Sequence, residues 1–131
     1  MEDSIFTKII KGEIPSHKIY EDEKTIAFLD IYSTINGHTL VIPKIQVEFV
    51  WDLDDDSYSA VMNTAKKVAK RLREVLAVPY VGEKVMGTDV PHAHVHLVPF
   101  TDPKEFAQSY LENPNPDHAK LAAIAEKLYF S

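Results

Sequence analysis

The 131-residue chain contains no cysteine. Disulfide frameworks, thiolate metal sites and cysteine nucleophiles are therefore excluded. Glycine is scarce, at four scattered residues, and no Gly-rich loop of the Walker type is present to cradle phosphates. No Gly-x-Ser-x-Gly elbow occurs, so a serine triad has no support. No hydrophobic run approaches the roughly eighteen residues of a membrane span. The acidic start Met1-Glu2-Asp3-Ser4 lacks the basic region and apolar core of a signal peptide. Positive charge is in deficit, with a formal net charge of −6, which argues against a general phosphate-backbone binder but allows a local anion pocket. What these absences leave is a protein expected in the cytoplasm, with neither membrane nor nucleic acid as partner.

What is present points to one domain over residues 1–131, long enough to bury about two-thirds of its unfolded surface. Ser4 is a plausible N-cap for a short helix carrying Ile5, Phe6, Ile9 and Ile10, stopped by Gly12. Lys18–Glu21 and Thr25–Asp30 read as a hairpin around Asp22-Glu23-Lys24, and His38–Pro43 reads as a third strand closed by its proline. Asp54-Asp55-Asp56-Ser57 opens a long amphipathic helix through Leu76, with basic residues toward its C-terminal end. Tyr80–Met86 reads as a fourth strand. Pro103–Leu111 and a helix starting at Pro116 complete the chain, the latter with Leu121, Ile124, Ala125 and Leu128 on one face. The fold class is α+β: a five-stranded, mainly antiparallel sheet with one long helix, a short N-terminal helix and C-terminal helices.

The fifth strand carries the chemistry. His92-Ala93-His94-Val95-His96-Leu97-Val98-Pro99 alternates imidazoles with small or apolar residues, the period of a β-strand. Three rings then share one face about 6.6 Å apart, an expensive face to bury without partners. A metal site is one reading, but the nearest downstream acids, Asp102 and Glu105, lie beyond a proline, and such sites normally add a carboxylate or a third imidazole. A purely structural triplet would have to satisfy three rings for no return. Histidine-based nucleophilic catalysis explains more, because a ring with one nitrogen held by an acceptor attacks phosphorus or acyl carbon through the other. The middle residue, His94, is flanked by two rings that can orient it and assist the reacting group.

The stretch His92–Val98 resembles the histidine triad (HIT) signature. Ile5–Pro15, Ala27–Ile31 and Gly37–Lys44 are similar, in that order, to the Hint-like branch of the family, over about residues 4–100. Residues 103–131 lie outside the resemblance. It implies a homodimer and chemistry at the 5′ α-phosphorus of a purine nucleotide or nucleotide conjugate, through a nucleotidyl-histidine and without a cofactor. His94 corresponds to the nucleophile, His96 to the residue that meets the phosphate or leaving group, and His92 with His38 to the network that fixes His94. Asp30 matches the acid that accepts the ribose hydroxyls, with Leu29 and Ile31 beside it. Phe6, Ile9 and Ile14 match the wall around the base. Phosphoramidates are the substrate class that this branch implies. Dinucleotide polyphosphate hydrolysis, a non-catalytic nucleotide-binding regulator and a metal-dependent hydrolase stand as alternatives.

Two departures stand out. Many relatives hold structural zinc with two cysteines and a histidine, whose positions here resemble Ser4, Thr7 and Gln46, so no metal is expected. The segment Val85–Pro91 is shorter than its counterparts and lacks their Asn. Thr88 and Asp89 fall nearest the phosphate-contacting positions.

Overall fold

A computed structural model describes residues 2–131. Helix α1 (Ile5–Ile10) is followed by strands β1 (Lys18–Glu21), β2 (Thr25–Leu29) and β3 (Thr39–Pro43). Helix α2 (Asp55–Leu76) leads to β4 (Tyr80–Lys84) and β5 (Val95–Phe100), and α3 (Pro103–Ala107) and α4 (His118–Leu128) close the chain. The five strands form one antiparallel sheet in the order β1-β2-β3-β5-β4. The expected α+β architecture is the one observed. Among the described residues no helix is long and apolar enough to cross a membrane.

Alternation along the strands divides the sheet into two faces. Ala27, Leu29, Val41, Val95 and Leu97 join Val61, Ala65, Val68 and Leu72 of α2 and Ala125 and Leu128 of α4 in the main core. Ile26, Phe28, Leu40 and Ile42 turn to the other face and meet Phe6 of α1 in a smaller cluster. With only six residues, α1 covers just the β2–β3 part of that face. Its remainder is open, and it is where His94 and His96 point. Ser4 caps α1, accepting a hydrogen bond from Thr7 N–H at 2.9 Å.

Element ends differ from the expectation where backbone donors have other partners. The alternation predicts a strand from His92, but the ladder begins at Val95. His92 N–H donates to Val90 O and Ala93 N–H to Val47 O, while Pro43 has no N–H to offer from the facing strand. The alternation survives nonetheless, since Ala93 lies in the main core with Val95 and Leu97. β4 stops at Lys84 rather than Met86, before the turn at Gly87, which has φ 76°. α3 ends at Ala107, not Leu111: Ser109 Oγ and N–H both bond back to Phe106 O, a local competitor to helix continuation. α4 starts at His118, two residues after Pro116, because Asp117 caps it by accepting from Lys120 N–H. The 3-10 turn Val50–Asp52 is an addition to the expected elements.

The C-terminal arm formed by α3 and the segment through Asn113 lies against the open face, whereas α4 packs in the main core. Phe106 sits directly over Gly82 of β4, where a Cβ would come within 2.2 Å of the ring. Glycine is the residue that lets α3 dock on that part of the sheet. The arm then returns over the start of β3. Ser33 and Glu112 form an isolated bridge, and Asn113 N–H donates to Tyr32 O.

Candidate active site

The open half of the sheet face is a cleft of about 610 Å³, within the range typical of small-molecule sites. Phe6, Ile9, Ile14, Leu29, Asp30, Ile31, Thr88 and Asp89, all expected at a nucleotide site, line it together with His38, His94 and His96. His92 does not line it. It is fully buried behind α1, its ring edge-on to Phe6 at 5.8 Å between centroids.

Hydrogen bonds assign the tautomers. His94 Nδ1 lies 2.7 Å from the carbonyl oxygen of His92. A carbonyl can only accept, so the hydrogen sits on Nδ1 and Nε2 keeps its lone pair. The His94 ring is wedged edge-on to Phe6 at 5.2 Å and to His96 at 5.1 Å. It is therefore held by its backbone bond and by aromatic contacts on two sides, a rigid seat for a nucleophile.

His96 is ordered from the other direction. Its Nδ1 faces His38 Nε2 at 2.9 Å, and His38 Nδ1 faces Ser33 Oγ at 2.7 Å. Ser33 Oγ already accepts from Ile35 N–H, which leaves its own hydrogen for His38 Nδ1. The Asp30 carboxylate, 3.7 Å from His38 Nε2, favours the hydrogen on that nitrogen. His38 Nε2–H then donates to His96 Nδ1, and His96 carries its hydrogen on Nε2. That Nε2 is buried without a partner among the described residues. A buried orphan donor costs about 1–3 kcal/mol, and here it faces the cleft where a ligand oxygen would relieve it. Burial pushes His96 down to about 4, with His38, His94 and Lys84 adding to the effect. Burial and Lys84 bring His38 to about 4 as well. Both rings are neutral at pH 7, as the one-proton chain requires.

The network differs from the expectation in one respect. The resemblance has His38 and His92 fixing His94 together. Instead His38 binds His96, and His92 acts on His94 through its backbone carbonyl rather than its ring. The His92 ring serves to hold that backbone: Nε2–H donates to Pro43 O at 2.9 Å, and Nδ1 accepts from Ser4 Oγ at 2.8 Å. Ser4 and Thr7 thus acquire a role that their replacement of metal ligands does not suggest. Thr7 Oγ1–H donates to Gln46 Oε1 at 2.6 Å, Ser4 N–H donates to the same oxygen, and Gln46 Nε2 donates to Glu2 O. Two hydroxyls and an amide, already satisfied by one another, are a poor donor set for zinc, which selects thiolate, imidazole or carboxylate. The residues do not fit that metal. Asp30, His38 and His96 also bring ligand-capable atoms within 4.8 Å of one another. Their facing imidazole nitrogens, however, stand at hydrogen-bond distance, whereas a tetrahedral ion with bonds of about 2.1 Å separates its ligand atoms by about 3.4 Å.

Of the cleft residues outside the expected set, four bear on its chemistry. Ser33 orders His38, Tyr32 and Leu111 form exposed apolar parts of the rim, and Lys84 supplies the one ammonium among the lining residues. Lys84 pairs with His96 across the β4–β5 ladder, so the two side chains share the open face. Only the strand order makes that neighbourhood visible.

Comparison with known proteins shows the family and the fold. The HIT domain family matches residues 11–102. The protein hit of Bacillus subtilis (strain 168) is 41% identical over 104 residues, covering 75% of this chain and 71% of that protein. Adenosine 5′-monophosphoramidase HNT1 of Candida albicans is 35% identical over 133 residues, covering 95% and 88%. A solved structure of a hypothetical histidine triad nucleotide-binding protein from Sulfolobus tokodaii superposes with a TM-score of 0.82 at 27% identity, covering 94% of this chain and 87% of that one.

Proposed function

The chain belongs to the HIT family, and from that premise we propose that it is a nucleotide hydrolase acting at the 5′ α-phosphorus of purine nucleoside phosphoramidates or related conjugates. The observation that carries the reading is the His94 tautomer: Nδ1–H tied to His92 O at 2.7 Å and Nε2 free to attack. Relatives named adenosine 5′-monophosphoramidase supply the substrate class.

In this reading the base sits against Phe6, Ile9, Ile14 and Phe28, and the Asp30 carboxylate accepts the ribose hydroxyls. Asp30 is prepared for that role. Its Oδ1 accepts from Tyr32 N–H at 2.8 Å and its backbone N–H donates to His38 O at 2.9 Å, which fixes the carboxylate at the rim. His94 Nε2 donates its lone pair to phosphorus, and the bond from phosphorus to the leaving nitrogen or oxygen breaks with its electron pair. The leaving group takes its proton from solvent. The imidazolium so formed keeps Nδ1–H on the His92 carbonyl, whose dipole offsets the new charge. His96 Nε2–H hydrogen-bonds the phosphoryl oxygen on which charge builds. Water then attacks phosphorus and loses a proton to solvent, the electron pair of the phosphorus–Nε2 bond returns to nitrogen, and the nucleoside monophosphate leaves with His94 restored.

The test is direct. Adenosine 5′-phosphoramidate mixed with the protein and quenched within milliseconds is expected to leave an acid-labile adenylyl group on the peptide carrying His94, followed by stoichiometric AMP. Unchanged substrate and unmodified peptide would sink the reading. The homodimer belongs to the same proposal: β4 is a sheet edge with unpaired backbone groups along its outer side, open to the same strand of a second copy. Sedimentation equilibrium is expected to give twice the chain mass.

A further inference from the structure

Lys84 is a half-buried cation without a counter-ion. Among the described residues no carboxylate lies within ion-pair distance of its Nζ. Its one hydrogen bond goes to Ser109 Oγ at 2.7 Å. Ser109 is itself buried and donates its own hydrogen to Phe106 O, so it accepts from Lys84 and holds the ammonium in one direction. The Phe106 ring supports the same charge from 5.5 Å. Gly82 makes that arrangement possible by leaving room for Phe106 on the sheet. Two of the three ammonium hydrogens remain for a ligand.

The strand order says which part of a ligand they meet. Phe28 and Asp30 belong to the β2 end of the cleft, His38 to the residue before β3, His94 to the residue before β5, His96 to β5, and Lys84 to β4. Strands lie about 4.8 Å apart, so Lys84 stands one strand beyond His96, on the side away from the nucleoside end. A substrate whose nucleoside lies against β2 and whose phosphorus meets His94 projects its remaining group toward Lys84. The other charges lining the cleft are the carboxylates of Asp30, Asp89 and Glu112, which repel an anion elsewhere. Burial draws the Lys84 ammonium below its usual range, a state that an arriving anion reverses.

We propose that Lys84, aimed by Ser109 and Phe106, forms an anion subsite for the leaving group, so that the protein prefers nucleotide conjugates whose leaving group is negatively charged next to the reacting phosphorus. This rests on the assignment of the cleft to nucleotides, and it adds a residue and a charge preference to it. The C-terminal arm then selects the leaving group, while α1 and β2 hold the nucleoside.

Calorimetric titration with AMP and with methylene-bridged adenosine diphosphate separates the two readings, because it needs no turnover. The wild type is expected to bind the diphosphate analogue about tenfold tighter than AMP, the gain from one charge-assisted contact. Lys84→Met is expected to bring that ratio close to one, with AMP affinity changed by less than about twofold. Lys84→Arg, which keeps the charge, is expected to retain most of the preference. Equal affinity of the wild type for both nucleotides overturns the subsite alone, as does a Lys84→Met variant that loses affinity for both in proportion. Failure of AMP itself to bind the wild type overturns the nucleotide assignment and the subsite with it.

Discussion

Replacing His94 with alanine is expected to lower AMP release from adenosine 5′-phosphoramidate by at least about 10⁴-fold, the scale on which removing a covalent nucleophile acts. AMP affinity should stay within a few-fold, because Ile9, Ile14, Phe28 and Asp30, which carry most of the proposed base and ribose contacts, line the cleft independently of the ring. The two numbers together are diagnostic. A lost nucleophile lowers kcat and leaves binding intact, whereas a disturbed cleft lowers both. Truncation removes a ring packed edge-on between Phe6 and His96, so stability is expected to fall by about 1–3 kcal/mol. Urea denaturation distinguishes that from global unfolding. Added imidazole, placed in the vacated space, is expected to return part of the rate.

The second large effect is on stability in acid. His38 and His96 both fall to about 4 in the folded protein, against about 6.5 in an unfolded chain. Between those values the unfolded chain binds protons that the folded one refuses, so stability rises with pH across the window and falls as pH drops from 6.5 toward 4. For one ring the loss is on the order of 3 kcal/mol. For the pair it is a few kcal/mol. Below pH 4 these two rings contribute no further change. The carboxylates held low by their partners, Glu21 by Lys18 and Lys44 and Asp54 by Ser57, lose stabilisation only lower down, as pH falls through their folded values. Urea midpoints between pH 7 and 4 are therefore expected to decline first through the imidazole window. A His38→Gln/His96→Gln double variant is expected to flatten that part of the curve. An identical slope in wild type and double variant would show that the two rings are not held neutral.

Much of this architecture can be read along the chain, and the limits of that reading have physical causes. The His92–Leu97 alternation specifies a face because a period of two survives even where the ladder has not begun. Ser4 and Asp54 mark helix starts because capping is local. The pairing of His38 with His96 is not local: it depends on β5 lying beside β3, and no spacing in the sequence fixes that. Lys84 is hidden for the same reason, since its neighbour across the ladder belongs to another strand and α3 must dock before its ammonium is aimed. Residues Ser109–Leu111 read as a continued helix because nothing nearby announces that the Ser109 hydroxyl will end it. Thr7 and Gln46 stand out in the sequence only as missing ligands, and Ser4 as a missing ligand and a cap. Their mutual satisfaction becomes apparent once His92 is beside them.

That cluster has a consequence for how the protein becomes active. The bond from Ser4 to His92 joins residues 88 apart in sequence, and the one from His38 to His96 spans 58. Contacts of such separation are made late, after the loop between them has closed. Until those closures are made, the rings of His92 and His96 lack the partners that order them, and only the local bond from His94 to the His92 carbonyl is within reach. The ordered arrangement of the histidines is therefore expected to arrive only with long-range closure of the fold.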